Sequence, residues 1–570
     1  MPYAAPVADL LRSLSANGQL DQVLALPGYA DLGLGRDDIA AVIEEAGKFA
    51  TQVLDPLNRV GDLEGSRVTP EGVISAKGFK EAYQQFIAAG WPALAAPSAY
   101  GGQGLPHVVG TAVGEQWPAS NMAFALCSEL SVGNVLALAA HGSDELKADW
   151  LPHIISGRYT GTMCLSEPQA GSDLAVITTR AEPDGAMWKL FGRKIWITWG
   201  EHDMAENTVH LVLARAAGSP GGTKGLSLFL VPRYLDGKAN DVHCVSVEHK
   251  LGIKASPTCV MAFGDHGGAR GWLVGELNHG INNMFTMMNV MRLGVGLQAV
   301  GLMERAYQHA LGYARERVQG RNAEGGKARI IEHADVRRML LEMRALTSAS
   351  RGIAMMASAA IDLASHGVEP AVREAARVRG DLLTPIVKAF PSESALKVTS
   401  HAIQVWGGMG FVEETGVAQY YRDARIIPIY EGTNGIQAAD LIGRKTTRDG
   451  GAGYRALLDE IAAFRGEQAP VAQAALQRLV TRLREVVDAV VARGGEMEFS
   501  GAVAHDFLMA SGHLVGLYAL VRNANDPLAL PHDEALATFH ATHLLPQAYA
   551  HLEVVMSGGG AVRAFAAGDF

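Results

Sequence analysis

The stretch Arg422-Asp-Ala-Arg-Ile-Ile-Pro-Ile-Tyr-Glu-Gly-Thr-Asn434 places one carboxylate, Glu431, directly after an apolar run and directly before a glycine. Apolar surroundings disfavour the ionised form of a carboxyl group, so we expect a raised pKa for Glu431. A carboxyl group with a raised pKa suits a general base that must also hold a proton. Gly432 allows the backbone to approach a ligand closely, and Thr433 or Asn434 can cap a following helix. By itself the stretch also fits a surface glutamate at the start of a helix.

Three further motifs precede this stretch. Met163-Cys-Leu-Ser-Glu-Pro-Gln-Ala-Gly-Ser-Asp173 predicts a loop in which Ser166 and Ser172 can donate hydrogen bonds to a polar ring or a phosphate. Lys194-Ile-Trp-Ile-Thr-Trp-Gly200 predicts a strand with two indoles on the same side, suited to packing on a flat aromatic cofactor. Gln404-Val-Trp-Gly-Gly-Met-Gly-Phe411 is rich in glycine. Each motif alone also fits a polar turn or a core tryptophan.

The spacing of apolar residues and turns along the chain predicts a mainly α protein with a central β domain. We expect an N-terminal helical domain over 1–158, a β domain of short strands that form a sandwich or barrel over 159–278, a helical bundle over 279–447 and a C-terminal helical extension over 448–570. In the bundle, an apolar stripe from Leu293 to Val318 predicts one long helix, and Pro391–Trp406 predicts another. Thr446–Gly453 is predicted to be a linker.

Missing motifs and composition exclude several classes. No GxGxxG follows a predicted strand and no GxxxxGK[ST] occurs, so a Rossmann NAD enzyme and a P-loop ATPase are disfavoured; Gly294-Val-Gly296 is interpreted as close helix packing. The net charge is −10, and the segment after Lys445 carries nine Arg, no Lys and fourteen acidic residues. This balance does not favour a nucleic-acid partner.

The four cysteines are far apart in sequence and form no CxxC pair, so neither a disulfide framework nor a metal site is predicted. The N-terminal segment has no basic stretch followed by a long apolar run, and no apolar run reaches the length of a membrane span. We therefore expect a cytoplasmic protein with no membrane span.

Together and in this order, the motifs resemble those of the acyl-CoA dehydrogenase family. The resemblance runs from about Ala99 to Lys445 and includes Glu-Pro-x-Ala-Gly-Ser-Asp, Trp-Ile-Thr, Gly-Gly-x-Gly and Ile-Tyr-Glu-Gly-Thr. It implies an α-helical domain, a β domain and a four-helix domain, with FAD between the last two domains and across a dimer interface.

The resemblance also implies site residues. Glu431 matches the catalytic base of the largest branch of the family, and Arg292, Ser172 and Gly432 match positions near the acyl-CoA substrate. Where many relatives have Thr-Phe-Gly, this chain has Gln319-Gly-Arg321. The positions implied to contact FAD are Met163, Leu165, Ser166, Gly171, Ser172, Trp196, Ile197, Thr198, Arg317, Gln319, Gln404, Gly408, Thr433 and Gly435.

The implied reaction is an FAD-dependent α,β-dehydrogenation of an acyl-CoA to a trans-2-enoyl-CoA. Glu431 takes the proton from Cα while hydride leaves Cβ for the flavin, and hydrogen-bond donors at the thioester carbonyl stabilise the enolate-like charge. Electrons then pass to an electron-transfer flavoprotein. The acyl group stays open among short or medium straight chains, branched chains and 3-methylmercaptopropionyl.

The C-terminal extension departs from the short, tetrameric members. It resembles the larger bacterial members, including the 3-methylmercaptopropionyl-CoA dehydrogenase group. In such proteins the added helices cover a surface that a second dimer buries in tetramers, so the resemblance implies a homodimer.

Three alternatives remain open from the sequence. The first is a DNA-associated flavoprotein like the alkylation-response relatives, which would need a basic groove. The second is a scaffold role in which the fold persists without turnover. The third is a flavin oxidase or monooxygenase on the same fold, in which the base is often changed; retention of Glu431 favours the dehydrogenase.

Overall fold

The computed structural model describes residues 2–570. The chain divides into two compact units, each built from segments that are separated in sequence. The first unit contains the residues up to Lys48 together with Pro106–Ala119 and Arg292–Phe570, and the second contains Phe49–Leu105 and Ser120–Met291.

Helices dominate both ends of the chain. In chain order they are α1 (Val7–Ala16), α2 (Leu20–Leu24), α3 (Arg36–Phe49), α4 (Asp55–Glu64), α5 (Phe79–Ala88), α6 (His107–Gly114), α7 (Gln116–His141), α8 (Asp144–Ile155), α9 (Gly280–Glu316), α10 (Ala334–His366), α11 (Pro370–Trp406), α12 (Val417–Ala424), α13 (Asn434–Ala439), α14 (Ala452–Ala463), α15 (Pro470–Arg493), α16 (Met497–Ala524), α17 (Asp533–Phe539), α18 (Leu545–Ser557) and α19 (Gly560–Arg563).

Most strands lie between α8 and α9. In chain order the strands are β1 (Arg67–Thr69), β2 (Gly72–Ile74), β3 (Tyr159–Cys164), β4 (Arg180–Asp184), β5 (Met187–Thr198), β6 (Asn207–Ala216), β7 (Leu226–Pro232), β8 (Tyr234–Leu235), β9 (Lys238–Ala239), β10 (Val242–Val247), β11 (Thr258–Phe263), β12 (Ala269–Val274), β13 (Val318–Arg321) and β14 (Lys327–Arg329).

The strands of the second unit close into a ring. β4 pairs with both β5 and β6, and the ring is completed by the pairs β5–β12, β12–β7 and β7–β6. β3 joins parallel to β6, and β11 and β10 extend from the C-terminal half of β5. Nearly every residue of β6 and β7 is buried, which explains why these strands read as continuous apolar runs. The predicted fold class, mainly α with a central β domain, is confirmed.

In the first unit the long helices α10 and α11 pack side by side; α10 buries most of its length, and α11 is buried chiefly after Asp381. The prediction that a helix begins at Pro391 is wrong, because α11 starts at Pro370 and continues through Pro385 and Pro391. Pro391 has no N–H for the Val387 carbonyl. Gly296 of α9 lies against this carbonyl, since a Cβ added there would be 2.3 Å from it. Close helix packing at Gly296 therefore accompanies the proline and agrees with the sequence interpretation.

The C-terminal extension packs on the bundle through α16, which contacts α10, α11 and α13. Small residues allow the helices to approach closely at this contact. A Cβ added to Gly512 would lie 2.2 Å from the Phe390 ring, and one added to Gly352 would lie 2.4 Å from Ala519. The ring of His513 lies edge-on to Phe390 with centroids 5.0 Å apart. The extension is thus an integral layer of the first unit.

Local details differ from the sequence interpretation. The apolar stripe of α9 ends at Glu316, and Val318 begins β13 in a hairpin with β14. The predicted linker is shorter than expected, because Asp440–Thr447 forms a π-helical segment and α14 begins at Ala452. The hairpin of β1 and β2 lies in a region predicted to be mostly helical.

One helix among residues 2–570, α7, is long and apolar enough to cross a membrane by length and composition. Of its apolar window, 72% is buried inside the protein. Asn121 breaks the helix with φ −156° and ψ 92°, and its Oδ1 accepts a hydrogen bond from the Phe124 N–H. Burial of this extent is typical of a core helix.

Candidate active site

Glu431 lies in the short loop between α12 and α13, with its side chain partly buried. Its backbone is left-handed, with φ 53°, and Gly432 follows with φ 84°. A non-glycine residue in this region is uncommon, and such strain is concentrated at functional sites. Thr433 caps α13, because its Oγ1 accepts a hydrogen bond from the Ile436 N–H at 3.3 Å. The predicted cap is therefore confirmed.

The positive charges of two residues on different helices, Arg292 on α9 and Lys388 on α11, act on the Glu431 carboxylate. Burial raises the pKa of Glu431 above its ordinary value, and the two cations limit that rise. Arg292 is itself buried, with its Nη1 3.9 Å from Asp440 Oδ2. Sequence reasoning expected a raised pKa for Glu431, and the direction agrees.

The apolar run before Glu431 anchors the loop. Ile427 is fully buried and Pro428 is buried beside it, whereas Ile429 is exposed. The Tyr430 hydroxyl donates a hydrogen bond to Gln298 Oε1 on α9. The carboxylate is therefore carried by a loop that is tied to the long helix at the preceding residue.

In the second unit, the loop after β3 is held by a buried carboxylate, Glu167. It accepts hydrogen bonds from the backbone and hydroxyl groups of Thr178 and Thr179 at 2.5–3.0 Å, and from Lys194 Nζ at 2.9 Å. Burial opposes ionisation, but Lys194 and these donors outweigh it and lower the pKa of Glu167 to about 2. Lys194 Nζ also donates to the Leu165 carbonyl, so one ammonium joins the loop to β5.

The two tryptophans at the end of β5 point to different environments. Trp196 is 57% exposed, with φ 62°, whereas Trp199 is 1% exposed and donates its indole N–H to the Ala123 carbonyl. The prediction that both indoles lie on the same side is wrong. Residues three apart point to opposite faces of a regular strand, so alternation itself argues against a shared side, and Trp199 lies beyond the end of β5 at Thr198 with φ 51°.

The predicted site residues fall in both units. The second unit holds Met163, Leu165, Ser166, Gly171, Ser172, Trp196, Ile197 and Thr198, and the first holds Arg292, Arg317, Gln319, Gln404, Gly408, Glu431, Gly432, Thr433 and Gly435. Eight of them are exposed, namely Gly171, Ser172, Trp196, Arg317, Gln319, Gln404, Gly408 and Gly435.

Four family models match almost the whole chain. Residues 36–158 match "Acyl-CoA dehydrogenase, N-terminal domain", 162–266 the middle domain and 278–446 the C-terminal domain. Residues 457–566 match "Acetyl-CoA dehydrogenase C-terminal like".

The chain belongs to the acyl-CoA dehydrogenase family.

A curated relative supports this assignment at substantial identity. The 3-methylmercaptopropionyl-CoA dehydrogenase of Ruegeria pomeroyi is 47% identical over 549 residues, which cover 92% of each chain. The protein is thus an acyl-CoA dehydrogenase, an FAD-dependent enzyme.

Solved structures share the fold of this acyl-CoA dehydrogenase. ACDH-11 of Caenorhabditis elegans, in complex with C11-CoA, has a TM-score of 0.81 at 19% identity and covers 99% of this chain and 95% of its own. An acyl-CoA dehydrogenase complexed with FAD from Bacillus anthracis has a TM-score of 0.76 at 22% identity, with 92% and 90% covered.

The side chains at the end of β5 are suited to binding a flavin. An exposed indole at Trp196, with the hydroxyl of Thr198 two residues later, offers an aromatic face beside a hydrogen-bonding group. Ser166 is tied to this strand, since its carbonyl accepts a hydrogen bond from the Ile195 N–H at 3.0 Å. Such a large exposed tryptophan on a strained backbone is better explained by a partner ring than by core packing.

Sequence reasoning missed three buried charged residues, Glu167, Lys194 and Lys388, which hold the loops that carry the motifs. The available signal was a charged residue inside an apolar run, as in Ile386-Val-Lys-Ala-Phe390. Lysine and glutamate are rarely fully buried unless they are paired. A lone charge in such a run therefore indicates a bridging role.

Proposed function

We propose that this acyl-CoA dehydrogenase uses Glu431 as its base and acts on a short acyl-CoA, with 3-methylmercaptopropionyl-CoA as the preferred substrate. The base assignment rests on one observation, a partly buried carboxylate held in a left-handed loop and acted on by two positive charges. The substrate assignment rests on 47% identity over 92% of both chains to a 3-methylmercaptopropionyl-CoA dehydrogenase.

In this mechanism the Glu431 carboxylate accepts the proton from Cα of the thioester, the Cβ–H bond breaks with loss of hydride, and a Cα–Cβ double bond forms. Bound FAD supplies the acceptor for the hydride. Arg292 and Lys388 limit the rise in the pKa of Glu431 that burial causes, and so favour the ionised form that a base requires. The loop geometry fixes where the carboxylate oxygens lie.

We infer that two groups of residues contact the flavin. The first group is Met163, Leu165, Ser166, Gly171, Ser172, Trp196, Ile197 and Thr198, and the second is Arg317, Gln319, Gln404, Gly408, Thr433 and Gly435. Support comes from the motif resemblance and from the exposure of Gly171, Ser172, Trp196, Arg317, Gln319, Gln404, Gly408 and Gly435. Ser172, Arg292 and Gly432 are proposed near the substrate on the resemblance.

Anaerobic mixing of the purified holoenzyme with a panel of acyl-CoAs tests this function. Bleaching of the flavin absorbance should be fastest with 3-methylmercaptopropionyl-CoA, and Glu431→Gln should bind the thioester but reduce the rate by about 10²–10⁴-fold. Glu414→Gln, an exposed change in the same unit, should keep the wild-type rate. A wild-type flavin that no acyl-CoA reduces would rule out the activity, and equal rates in wild type and Glu431→Gln would rule out the base.

We also propose a homodimer that passes its electrons to an electron-transfer flavoprotein in the cytoplasm. The exposed apolar side chains Met409, Phe411 and Val412, next to Gly408, suit an interface between two copies. Sedimentation of wild type and Phe411→Ser tests the dimer, since the variant should shift towards monomer and lose FAD. Reoxidation of the reduced enzyme by purified electron-transfer flavoprotein tests the acceptor.

A further inference from the structure

Lys388 is fully buried in α11, and its ammonium bridges the two ends of the loop that carries Glu431. Nζ donates to the Ile427 carbonyl and to Asn434 Oδ1, both at 2.9 Å. Ile427 lies four residues before Glu431 and Asn434 lies three residues after it. One side chain on a neighbouring helix therefore holds the loop closed around the carboxylate.

Asn434 is oriented for this contact by the same helix. Its Nδ2 donates to Ser392 Oγ at 2.9 Å and to Glu393 Oε1 at 2.7 Å, which turns Oδ1 towards Lys388. Thus both the oxygen and the nitrogen of the Asn434 amide are bonded by side chains of α11 that lie about one turn apart. The position of the first residue of α13 is determined by side chains of α11.

Buried lysine is costly, and an apolar residue of similar size would fill the same space at lower cost. The hydrogen bonds of Lys388 go to neutral oxygens, one carbonyl and one amide. Its positive charge is therefore not cancelled at contact distance by either of these partners. Burial lowers the pKa of Lys388 to about 8, and Glu431 is the largest of the charges that oppose this decrease.

The other charges around Glu431 are arranged differently. Arg292, on α9, lies 3.9 Å from Asp440, which in turn accepts a hydrogen bond from Arg444 Nε at 2.5 Å. Glu393, on α11, contributes a negative charge near Lys388. Of the two cations that act on Glu431, Arg292 therefore shares its charge with a carboxylate, and Lys388 has neutral hydrogen-bond acceptors.

We propose that Lys388 is the positioning residue of the base. It fixes the position of the Glu431 loop relative to α11 and supplies the positive charge that favours the ionised carboxylate. The proposal rests on the proposed role of Glu431. Lys388 touches neither substrate nor cofactor in this role and acts through the loop and through its charge.

The test compares Lys388→Met with wild type in anaerobic stopped-flow reduction of the FAD-loaded enzyme from pH 6 to pH 9. Methionine keeps the length and apolar character of the side chain and removes the charge. Without this charge the base should ionise only at higher pH, so the ratio of rates between pH 9 and pH 6 should rise about threefold or more. If Lys388→Met only loosened the loop and exposed Glu431 to water, the pKa of Glu431 would fall. The ratio of rates between pH 9 and pH 6 would then decrease.

The matched control is Lys397→Met, which removes the same charge from the same helix at a position where the ammonium pairs with Glu342. Glu342 keeps Arg338 and His401 as partners, so folding should be preserved, and the pH profile should match wild type. Lys388→Arg retains the charge but not the two-point geometry. It should keep the wild-type pH profile up to about pH 8, below which Lys388 also carries its charge, with a lower limiting rate.

Asn434→Asp provides a second route if Lys388→Met does not fold. It is nearly isosteric and places a carboxylate against the Lys388 ammonium, so the ratio of rates should again rise. A ratio unchanged in both variants, with wild type reduced normally, would overturn the role of Lys388. Failure of the proposed function would instead appear as an unreduced wild type or an unaffected Glu431→Gln variant.

Discussion

Lys194 and Glu167 form a buried ion pair, with Nζ and Oε1 2.9 Å apart and side-chain exposures of 0% and 2%. The pair joins the middle of β5 to the loop after β3, two segments that carry separate sequence motifs. Since Lys194 also donates to the Leu165 carbonyl, the exposed Trp196 and the loop at Ser166 keep a constant separation.

Lys194→Met is expected to leave the Glu167 charge buried and uncompensated. The free energy of unfolding should fall by about 3–5 kcal/mol, and the flavin-to-protein ratio should fall with it. Denaturant titration measures the free energy of unfolding, and absorbance of the purified protein measures the flavin-to-protein ratio. Lys189→Met, on the same strand but in a half-exposed pair with Asp184, should cost less than about 1 kcal/mol. Similar losses in the two variants would contradict the assignment.

Gly432→Ala should impair the base without unfolding the protein. Its φ of 84° disfavours any side chain, and an added Cβ would lie 2.7 Å from Gln437 Nε2. Because the displaced residue is adjacent to Glu431, flavin reduction by acyl-CoA should slow by about tenfold or more. Gly443→Ala is the control, since an added Cβ there meets nothing within 4 Å. Unchanged reduction by Gly432→Ala would show that the loop tolerates movement.

Two buried histidines in the extension should make the protein sensitive to acid. His513 and His540 lie with ring centroids 5.5 Å apart, and both nitrogens of His540 lack hydrogen-bonding partners within residues 2–570. Burial lowers the pKa of His540 to about 3 and lowers that of His513 as well. The unfolded state therefore binds more protons, so stability is complete above about pH 6.5 and decreases as pH falls below it.

For His540 alone this loss amounts to about 2 kcal/mol between pH 8 and pH 5. His540→Phe should flatten the dependence of the unfolding free energy on pH in this window, whereas the exposed change His532→Phe should not. Denaturant titrations at several pH values measure the slope. An equal slope in wild type and His540→Phe would show that other groups control acid stability.

The contact between the extension and the bundle should be intolerant of one methyl group. In Gly512→Ala the added Cβ would meet the Phe390 ring at 2.2 Å, which should destabilise the first unit by about 1–3 kcal/mol. Gly501→Ala lies on the same helix, α16, with no atom within 4 Å of the added Cβ. This control should gain up to about 1 kcal/mol from helix propensity. Thermal unfolding of both variants decides whether α16 packs as described.

The sequence predicted which residues carry local signals, because these signals depend on neighbours in the chain. The long helix α9, the short strands of the β domain and the cap at Thr433 were all readable. The apolar run and the glycine made Glu431 a candidate base, and the resemblance to the family favoured that role over a surface glutamate.

Only the tertiary structure decided how charges and prolines are accommodated. A helix was predicted over Pro391–Trp406, but α11 begins at Pro370 and includes Pro391, where Gly296 of α9 packs against the Val387 carbonyl. Lys388 and Lys194 stand in apolar runs whose sequence does not name the partners that satisfy them. Those partners lie 27 to 46 residues away and come within 2.9 Å only when the chain is folded, because the pairing of buried charges depends on distances in space.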